Sequence, residues 1–489
     1  MVVRYHGGAA DESVRVTAAC HPHSARRLLM RVSTTFGRLA AGTLVVALGT
    51  GLAGCGKSGD SGSGGSGDGK VTISVMGLPP ATKAATRQAF LDRVAEFEKA
   101  NPTIHIEPSD APWDVQTFAA KMAGGRAETV LEIPLTEPPG LIDRKQVADI
   151  SAEAKALPEY AALDPRIMDT LSRDSKIYGL PESMYALGLL YNRKLFAAAG
   201  LDPDKPPATW DEFRADAKQI HDRTGQIGYA PMSINNGGGW HLTAMTYANG
   251  GTIEKQNGDK QAAGFTDGDA TAQALDLLHA MRFEDNSLGT NMLRKSEDIA
   301  PQFAAGKIGM QINGPSAYGS YLSLYKGKAE DFGAAALPQG PGNATLIGGT
   351  VLMVSAKATA DQRAAAVKWM EFQYLKPAYD PDIAAAQAKA NAADKLPVGV
   401  PGLPIYDQSV VAKVDAAVKP YVNVTTAHFQ PYVDGTAKLK LVPEPPVGSQ
   451  DVYAALDPVV QAALTRQNAD IPALLKTASG HVDSILQQQ

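Results

Sequence analysis

The sequence predicts an α/β protein of two lobes, each a mostly parallel sheet flanked by helices. Three observations carry this. Short β-branched runs alternate with stretches of helical apolar spacing from residue 71 to 133, which is the grammar of strand and crossover helix. The alternation restarts after residue 186, and two such units on one chain need two sheets. The chain has 489 residues, well beyond the about 150 of a typical single core.

Val71–Met76 is a β-branched run closed by Gly77 and Pro79-Pro80, and reads as a buried strand. Residues 82–100 place Ala85, Ala89, Phe90, Val94 and Phe97 at helical spacing and stop at Asn101-Pro102. A strand over Ile104–Glu107, a helix over 114–123 and a strand over Val130–Ile133 complete the first unit. In the second, Leu187–Tyr191 is a strand and Arg193–Ala199 a helix ended by Gly200. Thr209-Trp210-Asp211-Glu212 opens a further helix with a capping threonine and an acidic first turn. Helices are also expected near 239–249, 269–284, 297–304, 360–375, 378–392 and 451–465.

Ahead of these units, Leu39–Gly54 is apolar but too short for the about 20 residues that span a bilayer. With Arg31 and Arg38 before it and Leu52-Ala53-Gly54-Cys55 at its end, it has the form of a lipoprotein signal peptide over 1–54, with Met30 a candidate start. Cleavage before Cys55 would free its thiol for lipidation, and two or three acyl chains anchor stably where one is marginal. Residues 56–69 are almost entirely Gly, Ser and Asp, so 55–69 reads as a lipidated cysteine on a flexible tether. Gly51, Gly56, Lys57 and Ser58 also fit the phosphate-loop pattern, but no strand leads in and no helix follows.

Composition removes several function classes. Residues 1–55 hold six basic and two acidic side chains, so the remainder carries 40 and 49, a net of −9 and the wrong sign for a nucleic-acid surface. Only Cys20 accompanies Cys55, and it lies upstream of the cut, so neither a disulfide nor a cysteine metal site is expected. No His-Glu-x-x-His, acidic calcium loop or Gly-x-Ser-x-Gly elbow occurs, and no metal or cofactor is expected. Carboxylates are plentiful enough for a glycosidase pair, yet no spacing nominates one.

Tyr178-Gly179-Leu180-Pro181, Leu190–Phe196, Ala199-Gly200-Leu201, Pro206-Pro207 and Thr209–Phe213 together resemble the extracellular solute-binding proteins (family 1) of carbohydrate ABC transporters, the maltose-binding-protein group. Gly225–Tyr229, Gly306–Met310 with Gly314-Pro315, Phe332–Pro338, and Gly348-Gly349 with Val351–Ser355 follow in the same order. Two positions depart from the pattern: Glu128-Thr129-Val130 replaces the usual Pro-Asp-Val, and Ser316 stands where many relatives carry Trp. The resemblance implies a periplasmic-binding-protein fold with hinge strands between lobes, the first lobe over 70–182 plus 305–350 and the second over 183–304 plus 351–489. It also implies no enzymatic activity. A monomeric receptor at the extracellular face of the cell membrane would capture a mono- or oligosaccharide by closure and pass it to a permease.

Sugars present apolar faces and a ring of hydroxyls, so aromatic platforms beside carboxylate and amide groups are the candidates. Trp240, after the Asn235-Asn236 and glycine run, either stacks on the ligand or packs its own helix; Asn236 goes with it. Trp113 stands at the carboxyl end of a strand, the ligand side of α/β sheets, or anchors its loop. Glu182 at the first crossing and Glu137 after the third strand either accept hydroxyls or are simply solvated. Tyr185, Tyr318, Gly348 and Gly349 resemble cleft positions, and Phe429 and Tyr432 would close the site from the other lobe. Trp210 and Trp369 read as core. A hydrolase or lyase, and the same fold holding a non-sugar solute such as a polyamine, phosphodiester or ferric complex, are the competing functions.

Overall fold

The computed structural model describes residues 69–488 apart from 82, 83, 115 and 116. The expected signal peptide, Cys55 and the expected tether up to residue 68 lie outside the described residues. Among the described residues, fourteen strands run in chain order. β1 (Val71–Val75), β2 (Ile104–Pro108) and β3 (Val130–Pro134) come first, followed by a small hairpin of β4 (Ser172–Arg173) and β5 (Lys176–Ile177), then β6 (Gly179–Ala186). β7 (Gly188–Asn192) and β8 (Ile227–Tyr229) precede a second hairpin, β9 (Glu254–Asn257) and β10 (Lys260–Ala263). β11 (Ile308–Asn313), β12 (Phe332–Ala336), β13 (Ala344–Val354) and β14 (Lys440–Pro443) complete the set.

These strands form two main sheets. The first has the order β14-β13-β3-β1-β2, with β6 also paired to β13. The second is β12-β7-β11-β8. β1 runs parallel to β2 and β3, as crossover helices require. In the second sheet only β11 and β8 are parallel. β7 is antiparallel to both β11 and β12, so this sheet is mixed.

Strand pairing corrects the expected lobe boundaries. Residues 305–338 were assigned to the first lobe, but β11 and β12 flank β7 in the second sheet. Residues after 351 were assigned to the second lobe. Instead the helix Ala360–Met370 packs on β1, where Trp369 is fully buried edge-on to Phe90 and Phe97 at 5.7 and 5.3 Å. The chain returns to the second lobe only at the helix Gln430–Thr436, which packs on β12, and ends with the helices Ser449–Thr465 and Ile471–Gln488 beside Gly237–Ala248 and Ala270–Phe283.

Two strands carry the chain between lobes. β6 leads through Leu187, whose N–H bonds Leu346 O, directly into β7. β13 runs back alongside it, Ile347 opposite Ala186 and Met353 opposite Gly179. The register shifts at Thr350/Val351, so Glu182 is the extra residue of a β-bulge in the crossing strand. The expected crossings at 181–188 and 349–354 coincide with these strands. Residues 302–308 do not cross; they link the helix Ser296–Ala304 to β11 within the second lobe.

Local chemistry explains the helix starts. Thr209 and Glu212 form a reciprocal capping box on Trp210–Thr224, and Asn192 caps Arg193–Ala199 through Leu195 N at 2.9 Å. Among the described residues no helix is long and apolar enough to cross a membrane, and no group of three metal-ligating side chains occurs.

Candidate functional site

A cavity of about 620 Å³ opens between the lobes. Its first wall is built by turns at the carboxyl ends of strands: Trp113 after β2, and Thr136 and Glu137 after β3. Arg144, which ends the short helix Pro138–Asp143, and Arg173 in β4 extend that wall. The second wall is the β9/β10 hairpin, with Gln256, Lys260 and Gln261, and the segment 446–451 that enters the helix Ser449–Thr465.

The polar groups of the first wall are only partly spent. The Trp113 indole N–H and the Thr136 hydroxyl are buried without a hydrogen-bond partner. Burial raises the Glu137 carboxyl above its usual range, and the nearby Arg144 guanidinium pulls it partly back. Arg144 itself bonds the uncharged Gln146 at 3.0 Å. Arg173, by contrast, is paired with Asp143 at 2.8 Å. A buried donor left free in a cleft is stabilised by an acceptor that a ligand brings.

Asn236, Trp240 and Tyr185 lie behind the second wall and position it. Asn236 takes a left-handed conformation (φ 65°). Its N–H donates to Asp457 Oδ2 at 2.8 Å, and its side-chain amide donates to Gln450, which lines the cavity. Asp457 also accepts Gly239 N at 2.9 Å, so a carboxylate from a neighbouring helix holds the open amino end of Gly237–Ala248. Glycine is required at 239 because a Cβ there would overlap the Tyr453 backbone. Trp240 packs against both cores and meets Tyr185 edge-on at 6.4 Å, with its indole N–H unpartnered.

The remaining expected residues are placed elsewhere. Gly348 and Gly349 do not give room to a ligand: a Cβ at 348 would overlap the Tyr185 hydroxyl, and one at 349 would overlap Ser183 O. Tyr318 and Phe429 are core. Each is only 2% exposed, and they pack edge-on at 5.2 Å around Phe332. Tyr432 is buried with its hydroxyl donating to Ala186 O at 3.0 Å, which ties its helix to the crossing strand. Glu182 and Tyr432 line a different, larger cavity of about 1150 Å³ that shares no residue with the first.

Glu132, Glu254 and Glu444 are buried acids outside the expected site residues, whereas Glu182 is one of those expected. Glu132 on β3 accepts the Tyr374 hydroxyl at 2.8 Å, and burial raises its carboxyl. Burial, with Glu132 adding to it, raises Glu182 to about 8. Burial also lifts Glu444 to about 7 beside Tyr453, and Glu254 to about 8, where it accepts Val447 N at 3.2 Å. The sequence held one usable signal: an acid in the middle of the otherwise apolar run Val130–Ile133 is costly unless it is paired or functional.

Known proteins resemble this chain in sequence and in fold. A binding protein of Brucella abortus (strain 2308) is 29% identical over 276 residues, 53% of this chain and 61% of that relative. The sn-glycerol-3-phosphate-binding periplasmic protein of Yersinia pestis bv. Antiqua (strain Antiqua) is 25% identical over 175 residues, 33% of this chain and 40% of that one. The chain thus spans less than two thirds of the length of these curated relatives. Among solved structures, the cyclic α-maltosyl-1,6-maltose binding protein of Arthrobacter globiformis superposes with a TM-score of 0.64 at 22% identity, covering 86% of this chain and all of that one. A Mycobacterium tuberculosis protein crystallised with glycerophosphocholine gives 0.64 at 18% identity, with 86% and 100% covered. These likenesses show the fold. Residues 80–380, more than half of the chain, match the bacterial extracellular solute-binding proteins, a family of receptors, and the chain belongs to that family.

Proposed function

We propose that this chain is the membrane-anchored receptor of an ABC importer, taking a mono- or oligosaccharide into the cleft between its lobes and delivering it to the permease without breaking a bond. The observation that carries the reading is the composition of the cleft walls. On one side Trp113 offers an aromatic face and a free N–H beside Thr136 and Glu137; on the other stand the amides of Gln256, Gln261 and Gln450. An aromatic platform beside amides, a hydroxyl and the carboxyls of Glu137, Asp143, Asp259 and Asp451 matches the alternation of C–H faces and hydroxyls on a sugar. The Arthrobacter relative's name, which specifies a cyclic maltosyl-maltose, supports it.

A second reading has its own observation. Arg144, whose hydrogen bond goes to neutral Gln146, lines the same cavity with Lys260, whose ammonium donates to Gln487 O at 2.7 Å, and a phosphorylated polyol or phosphodiester would give both cations an anionic partner. The Yersinia relative's name points the same way.

A thermal-shift screen of neutral saccharides against glycerol phosphate and glycerophosphodiesters separates the readings. A hit at a hundredfold excess over its dissociation constant is expected to add about 2.7 kcal/mol of stability, and small-angle scattering should show compaction. If only phosphorylated probes stabilise the protein, and R144A abolishes the effect while W113A does not, the sugar reading falls.

The anchor belongs to the same proposal. Acylated Cys55 and the tether would hold the receptor at the extracellular face of the membrane while both lobes stay free to close. C55A is expected to release the protein from membranes into the medium with its solute affinity intact; retention on membranes would contradict the lipid at Cys55.

A further inference from the structure

The cavity of about 1150 Å³ that Glu182 lines shares no residue with the cleft. Side chains of a strand point alternately to opposite faces, so along β6 Tyr185 meets Trp240 while Met184 lines this other space. One wall is the loop 399–407 with the helix Gln408–Val418; Asp164 N, donating to Ile405 O at 2.9 Å, holds that loop to the first lobe. The facing wall is the helix Gln430–Thr436, which packs on β12 in the second lobe.

Most of the lining is apolar, with Met184, Val400, Leu403, Val411, Val414 and Leu441 among it. Its charges do not balance: the carboxyls of Asp164, Glu182, Asp407 and Asp415 stand against the cations of Arg166 and Lys419. Arg166 is spent on Asp164 at 2.5 Å. Asp407 accepts Ser409 N and Val410 N as the cap of its own helix. Lys419, which is exposed, follows Asp415 by one helical turn. Glu182 is left with no counter-charge among the described residues.

Two buried polar groups of this lining have nothing to bond. Glu182 Oε2 is shut from solvent without a hydrogen-bond partner, and so is the hydroxyl of Thr436, a residue only 7% exposed on the facing wall. Native structures rarely leave such groups unpaired. Burial and the adjacent Glu132 hold the Glu182 carboxyl toward its protonated form, and Tyr374, bonded to Glu132, faces the same pair. A cation set against Glu182 offsets both causes, and an ammonium also brings several N–H donors for the carboxyl and the hydroxyl. An anion would meet Glu182 as a like charge, and a purely polar solute would leave the apolar lining uncovered. A hydrocarbon body covers it. The volume, just above the about 300–1,000 Å³ of ligand pockets, has room for such a chain or ring system.

We propose that this cavity is a second binding site, for an amphipathic amine whose ammonium is held by Glu182 and Thr436 and whose hydrocarbon body lies along Met184, Leu403 and Val411. It goes beyond the solute reading of the cleft and does not depend on it.

The test titrates n-octylammonium chloride and the neutral 1-octanol into the whole protein at neutral pH, by calorimetry and ligand-observed NMR. One saturable equivalent of octylammonium is expected in the wild type and in W113A, which impairs the cleft, bound at least tenfold more tightly than octanol. E182Q, which keeps the size and removes the charge, should bring octylammonium down to the level of octanol, and T436V should weaken it several-fold. V433W, at a lining position 43% exposed whose indole would fill the space, should weaken both probes. Circular dichroism checks that each variant folds, and V433W decides if E182Q does not. Absence of saturable binding in W113A, octanol bound as tightly as octylammonium by the wild type, or octylammonium binding that the folded variants leave unchanged overturns the proposal. None of these results touches the cleft reading, which rests on saccharides that compact the wild-type protein.

Discussion

The hydroxyl of Tyr185 occupies the space that a Cβ on residue 348 would need, so the pair Tyr185 and Gly348 is a single fit between the two crossing strands. Overpacking of this kind costs about 1–3 kcal/mol. G348A is therefore expected to destabilise the protein by that amount in urea and to weaken solute binding, because Tyr185 backs Trp240. The double variant G348A/Y185F, which removes the hydroxyl, should recover most of the stability; no recovery would place the strain elsewhere.

Trp240 and Trp210 make a controlled comparison. Trp210 is 7% exposed and meets Phe213 edge-on at 5.6 Å in the core, while Trp240 stands beside the crossing, edge-on to Tyr185 at 6.4 Å. W240F should lower affinity for the cleft solute several-fold with a small change in melting temperature. W210F should lower the melting temperature and leave affinity alone. Equal effects of the two on affinity would show that Trp240 does not support the cleft wall.

Asp457 holds Asn236 N and Gly239 N together. Loss of such a helix-end acceptor costs about 0.5–2 kcal/mol. D457A should therefore unfold at lower denaturant concentration and also shift Gln450, the partner of Asn236, at the cleft wall. The check is chemical denaturation beside solute titration, and an unchanged midpoint would refute the capping role.

Stability should fall with pH on the alkaline side of neutrality. Burial raises the Glu254 carboxyl to about 8 and Glu444 to about 7, against 4.5 for an unperturbed glutamate. Above 4.5 the unfolded chain releases protons that the native state keeps, so the stability fully present below 4.5 is lost as pH passes through 7 and 8. His241 works in the opposite sense at acid pH, since burial lowers it to about 3 from 6.5 and its contribution grows as pH rises to 6.5. The clean window is pH 6.5 to 8.5. There the melting temperature should decline, and E254Q should flatten the decline; a flat wild-type profile would contradict the buried acids.

The local architecture was legible because its signals are local. The Thr209 capping box, the Gly200 stop and the β-branched run at Val71 each announce an element within a few residues. Lobe membership was not, because β11 and β12 are apolar runs that would suit either sheet, and their partner β7 lies more than 100 residues upstream. Site residues divided along the same line. Trp113 and Glu137 follow strand ends, a placement rule that sequence can apply, and both line the cleft. Tyr318 resembles a cleft position and Phe429 is expected to close the site, yet both pack in the core, and aromatic residues serve cores as readily as ligands. Glu132 was visible as an acid inside a strand, but its partner Tyr374 is 242 residues away, and only the fold joins them.

β13 serves both lobes with one unbroken strand: Ala344 and Leu346 pack in the second lobe's core, and Val351–Val354 in the first lobe's, where they pair with β3. Because side chains alternate sides at every residue, its two ends share a single phase, like a shaft keyed at both ends. Inserting one residue near Gly348 cannot be absorbed by either partner alone. It would keep the side-chain phase of one lobe and shift the other's by one residue, displacing Leu346 or Leu352 from the core position it fills on a strand buried on both faces. The length of this strand is thus a constraint on evolution, and loops such as the turn at Gly258 are where the chain is free to grow.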